Sequence, residues 1–178
     1  MHVSGKNVKL AGASSRRPFR ASAEAAPVRV VDRTEERPSP AWLAPRFLGA
    51  LSLLAVGAVH LQQYDYLYST IPTIGTLFLL NFLGATGIGL GLLAPVERLL
   101  GRLGAPALAL LALGGIGLAA SALVFLLIAE RTPLFGFMEP GYDPPAIMAA
   151  RVSEIVTVVA LGGFLAARFG WRKAAGSW

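Results

Sequence analysis

The chain has 178 residues, 54% of them hydrophobic and 15% charged, with a mean hydropathy of +0.59. It is too apolar for an ordinary water-soluble domain and reads as one membrane domain with a polar tail. Cysteine is absent, which excludes disulfides, thiolate metal sites and cysteine nucleophiles, and the net charge of +6 does not imply nucleic acid, because the cations flank apolar runs.

Residues 1–41 mix Ala, Ser, Pro, Arg and Glu without a sustained apolar period, and Pro18, Pro27, Pro38 and Pro40 interrupt any helix. A disordered basic tail is expected there. Within it, Ser15 to Arg20 reads SRRPFR, similar to a twin-arginine export motif. About 25 mostly polar residues then precede Phe47, whereas such a motif needs its apolar core close behind. The small residues around Ala58 resemble a cleavage site, but cleavage there would discard the first apolar segment.

Four apolar segments follow, at 44–66, 71–93, 106–129 and 146–167. Each is near the roughly 20 residues that cross a hydrocarbon core, and a spanning backbone must satisfy its own hydrogen bonds, so all four are expected to be helices. The expected fold is all-α: an integral membrane four-helix bundle over 42–170, followed by a short tail at 171–178. Thr70 with Pro72 suits the start of the second helix, Pro95 its end, and Pro106 the start of the third. Asp143, Pro144 and Pro145 form an N-cap and first turn for the fourth. The longest connection, Glu130 to Tyr142, carries two prolines and two glycines among Phe135, Phe137 and Met138. It is expected to fold as a lid at the interface.

Arginine and lysine set the expected orientation. Nine lie at or before Arg46, Arg98 and Arg102 lie in the second connection, and Arg168, Arg172 and Lys173 lie at the C-terminus. The other two connections, with the first turns of the helix beyond them, hold Arg131 and Arg151 against Asp65, Glu130, Glu139, Asp143 and Glu154. Both termini are therefore expected in the cytoplasm of a cell-membrane protein, with the acidic loops outside. Trp42 and Trp171 suit an inner aromatic belt, and Tyr64, Tyr66, Tyr68 and Tyr142 an outer one. Gly87 with Gly91, Gly115 with Ala119, and Gly117 with Ser121 are small-xxx-small pairs, expected to pack inside the bundle, with a dimer face as the other use. None of these glycines has the strand-turn-helix context of a phosphate loop.

Depth assembles a candidate site. His60 lies 14 residues beyond Arg46, and Glu154 lies 14 residues before Arg168. At 1.5 Å per residue each is about 21 Å from an inner arginine, hence in the outer half of the bilayer. Arg151 precedes Glu154 at spacing i, i+3 and can meet it on one face. Asn81 enters from the second helix, with Gln62, Gln63 and Asp65 above, and Glu139 sits in the long connection. One reading is an internal clasp in which Arg151 neutralises Glu154 and His60 donates to a neighbour. The other is a site for a ligand or partner, such as a quinone or a lipid head group, with His60 and Glu154 placed for proton exchange. Bis-histidine haem is excluded, because the second histidine, His2, lies in the tail. A metal held by His60 and Glu154, with Asp65 or Glu139, is chemically feasible, yet the spacing matches no ligand motif, so none is expected.

The stretch from Val59 to Ala85, VHLQQYDYLYSTIPTIGTLFLLNFLGA, with RTPLFGFMEPGYDPP and the RVSE of the last segment, resembles a group of uncharacterised actinobacterial four-helix membrane proteins. The likeness covers about Leu48 to Leu165, and helix count with glycine-rich packing is also similar to DoxX-type proteins. It implies that His60, Asn81 and Glu154 belong together, and it implies no activity or cofactor. The chain is thus expected to be a multi-pass membrane protein, not an enzyme, whose His/Asn/Arg/Glu cluster stabilises the bundle or receives a ligand or partner. The alternative is a small redox or proton-linked carrier or enzyme acting on a quinone-like molecule or a metal. Membrane lipids are the expected surroundings, and a second copy or another membrane protein is left open as a partner.

Overall fold

A computed structural model describes residues 40–170. The expected tails, apart from residues 40 and 41, lie outside the described residues, as does Trp171. A short 3₁₀ turn, Pro40–Trp42, leads into α1 (Leu43–Gln63), which continues as a π-helical turn, Tyr64–Tyr68. Then come α2 (Pro72–Leu93), the short α3 (Val96–Leu100), α4 (Gly104–Ala129) and α5 (Pro144–Leu165), the last prolonged by a π-helical turn, Ala166–Gly170. Four of these helical stretches are long and apolar enough to cross a membrane. The protein is an all-helical four-helix bundle of the multi-pass membrane type.

Local chemistry explains the helix ends. Ile71 is extended (φ −100°, ψ 103°) and Pro72 opens α2 in the first-turn position, where no N–H is needed. Asp143 caps α5, its Oδ1 accepting from the Ala146 N–H at 3.2 Å. α4 begins two residues ahead of Pro106, which its first turn accommodates because an N–H there has no helical acceptor. At the far end of α2 the extended Ala94 and Pro95 stop the helix, and Arg46 covers the exposed carbonyls. Its Nε donates to Leu92 O and its Nη2 to Ala94 O, both at 2.7 Å.

Around the bundle the order is α1, α2, α4, α5: α1 packs on α2 and α5, and α4 packs on the same two. Tight crossings occur where side chains are smallest. A Cβ on Gly89 would lie 3.2 Å from Ala50 O, and one on Gly115 only 2.8 Å from Leu161 Cδ1. Of the three small-residue pairs, Gly115 and Ala119 are buried in the bundle. Gly87 and Gly117 have no neighbour within 4 Å of a Cβ position, so the expectation of internal packing fails for these two, whereas a Cβ on Gly91 would lie 3.1 Å from Leu111 Cδ1. Periodicity within uniformly apolar helices does not distinguish the bundle face from the outward face.

The dense core, with Leu53, Leu92, Leu108, Leu161 and Phe164 fully buried, fills the middle of the bundle and its α3 end. There Arg168 joins Glu97 at 2.9 Å and lies 5.2 Å from the Trp42 ring centroid. The opposite end, which carries the α1–α2 and α4–α5 connections, is hollow.

Candidate ligand cavity

The hollow is a cavity of about 290 Å³ reached by all four long helices and the α4–α5 connection. Its roof is that connection, folded by its own sequence. Leu134 and Phe137 exchange backbone hydrogen bonds at 2.7 and 2.9 Å across Phe135 (φ 51°) and Gly136 (φ 81°). Two consecutive positive φ values define a tight hairpin turn, and glycine takes the second without strain. Glu139 then anchors the segment. Its N–H donates to Ala129 O at 2.9 Å, and its buried carboxylate accepts from the Tyr68 hydroxyl and from the N–H groups of Gly141 (2.9 Å) and Tyr142 (3.1 Å). The expected lid is thus tied to the π-helical corner after α1.

A second tie runs from Gln63, whose Nε2 donates to Asp143 Oδ2 at 2.8 Å. Asp143 therefore caps α5 with one oxygen and holds the end of α1 with the other. Phe78 of α2 stacks on Tyr68 (centroids 4.6 Å apart) and lies 5.1 Å from the His60 ring, while Phe137 meets Tyr68 edge-on at 5.5 Å. These rings form a continuous aromatic wall.

The cavity's polar atoms are few. His60 Nδ1 lies 2.8 Å from Val56 O. Since a carbonyl only accepts, Nδ1 carries the proton, and Nε2 of the neutral ring is left as an acceptor. Asn81 Oδ1 is buried without a hydrogen-bond partner. Glu154 is 1% exposed, and its Oε2 also lacks a partner. Buried polar side-chain atoms are nearly always hydrogen-bonded, so two orphans lining one cavity require an explanation.

Of the residues singled out from sequence, His60, Gln63, Asn81, Glu139 and Glu154 line this cavity. Asp65 does not: it is exposed on the π-helical turn. Arg151 does not either, because it forms an ion pair with Glu130 at the end of α4 and leaves Glu154 alone. The i, i+3 spacing permits an Arg151–Glu154 contact, but tertiary packing supplies a nearer, half-exposed carboxylate. No hydrogen bond joins His60 to Glu154, although both reach the same space. Of the clasp expected from sequence, the Arg151–Glu154 contact is absent, while His60 does donate to a neighbour, Val56 O. Tyr68 and Asp143 matter more than a belt residue and a helix cap would suggest, and Glu130 more than a loop charge. Only the i, i+4-like crowding of YDYLY and the position of Asp143 before two prolines hinted at the first two. Among the described residues no three His, Asp or Glu side chains gather as a metal site would require.

Fold and cavity together define a class: a small all-helical membrane bundle, hollow at the end that a pinned loop roofs. Neither protein-family models, nor curated proteins, nor solved structures match the chain.

Proposed function

We propose that the chain is a multi-pass protein of the cell membrane with both termini cytoplasmic, whose hollow outer end binds a lipid-soluble small molecule. The carrying observation is the pair of unpartnered buried oxygens, Asn81 Oδ1 and Glu154 Oε2, on an otherwise apolar and aromatic cavity. A cluster serving stability alone would be paired internally, whereas a recognition site keeps polar atoms free for an incoming group. The volume, about 290 Å³, is at the lower edge of the roughly 300–1,000 Å³ usual for small-molecule sites. Access from the bilayer is supported by Leu80 on α2 and Phe125 on α4, which line the cavity and are also 58% and 41% exposed. Orientation is supported by the cations of the sequence, concentrated at the α3 end and the termini.

Two measurements test this. Reporters active on one side of the membrane, fused at the C-terminus and in the α4–α5 connection, should place the first inside and the second outside. Organic extraction of the purified protein, followed by mass analysis, should yield a small molecule near equal stoichiometry. The cavity-filling variant Ala122→Phe should lose that molecule. Equal recovery from the filled variant would refute the binding site.

A further inference from the structure

This inference rests on the cavity being a ligand site and concerns what it accepts. We infer that the ligand is a lipophilic ammonium ion, a protonated amine on a compact apolar body, held by the Glu154 carboxylate against the aromatic wall.

Charge is the first argument. The cavity lining contains two carboxyl groups, Glu139 and Glu154, and no lysine or arginine. Glu139 is satisfied by Tyr68 and two backbone N–H groups, so its negative charge is fixed in the roof. The nearest cation along α5, Arg151, is already neutralised by Glu130. Glu154 therefore faces the cavity with no ion-pair partner of its own and with Oε2 unpaired. In a low-dielectric setting a carboxylate in that position is stabilised by an arriving cation far more than by a neutral dipole.

Hydrogen bonding is the second. His60 Nε2 and Asn81 Oδ1 accept, and so does the Glu154 carboxylate. An ammonium brings several donors and no acceptor, which matches this set. The carbonyls of a quinone would find a donor in the Asn81 amide but would leave these three acceptors unpaired.

The third is the wall. Tyr68, Phe78, Phe125 and Phe137 surround the same space, and aromatic faces attract ammonium groups most strongly where water is excluded. An apolar body fits the remaining surface of leucine, isoleucine and alanine side chains.

The test uses the full chain in lipid nanodiscs and three isosteres of one cage hydrocarbon: adamantylamine, adamantanol and adamantanecarboxylate. Equilibrium dialysis against empty nanodiscs measures saturable binding of each. The amine should bind at one per chain and at least tenfold more tightly than the alcohol, and the carboxylate should not saturate. Glu154→Gln should remove the preference for the amine over the alcohol. The comparison on the unsubstituted protein decides the matter even where that variant does not fold. Saturable alcohol binding that equals or exceeds amine binding would overturn the cation inference and leave the cavity reading standing. If neither amine nor alcohol saturates above empty nanodiscs, both readings fall.

Discussion

Glu139→Ala is the most informative single perturbation of the roof. The substitution removes three accepted hydrogen bonds, but they are not equivalent. Gly141 and Tyr142 are exposed, so their freed N–H groups find water and each loss costs about 0.5 kcal/mol, the low end for a hydrogen bond. Tyr68 is 5% exposed, so its hydroxyl stays buried and unsatisfied, which costs about 1–3 kcal/mol. The expected destabilisation is therefore about 2–4 kcal/mol, measured by SDS-induced unfolding in mixed micelles. Tyr68→Phe in the same background removes the orphaned hydroxyl, so the double variant should recover about 1 kcal/mol relative to additivity. Amides of the Leu134–Tyr142 segment should exchange hydrogen faster in Glu139→Ala, because the carboxylate that anchors them is gone. A variant within about 0.5 kcal/mol of the parent, or strict additivity with Tyr68→Phe, would refute the assignment of Glu139 as the anchor.

The Arg151–Glu130 pair should show a coupling of about 1 kcal/mol in a double-mutant cycle, as suits a half-exposed ion pair, and Arg151 with Glu154 less than about half of that. The reverse order would restore the clasp expected from sequence. Arg46→Met should cost about 2–4 kcal/mol, since it strips charge-assisted hydrogen bonds from the carbonyls of Leu92 and Ala94, and Arg46→Lys should recover only part, because an ammonium lacks the planar fork. SDS unfolding reads both, and an unchanged midpoint for Arg46→Met would contradict the capping role. Gly75→Ala places a Cβ 2.6 Å from the backbone oxygen of Tyr68 and should destabilise by about 1–3 kcal/mol. Gly87→Ala meets nothing within 4 Å and should be neutral or stabilising by up to about 1 kcal/mol in the same assay. Equal effects of the two substitutions would show that the α2 crossing is misplaced.

Several features were legible from the chain alone because they depend on local or bulk physics. Four spans of near-bilayer length could only be helices, since no other open backbone satisfies its own polar groups in hydrocarbon. Asp143 before two prolines announced the start of α5 because capping and fixed φ act within one turn. Matching depths for His60 and Glu154 followed from helical rise, and both do reach one cavity. Partner choice was not legible. Arg151 could satisfy either of two carboxylates, and which one depends on how α4 ends beside α5, a tertiary fact. The inward and outward faces of α2 and α4 were equally hidden, because lipid and protein interior are both apolar, so Gly87 and Gly115 look alike in sequence yet face opposite ways. Tyr68 joins the site only because a π-helical turn and the Glu139 anchor bring two connections together across 71 residues of chain. Local sequence patterns carry segment identity and depth. Long-range packing alone decides which polar groups meet and which are left free.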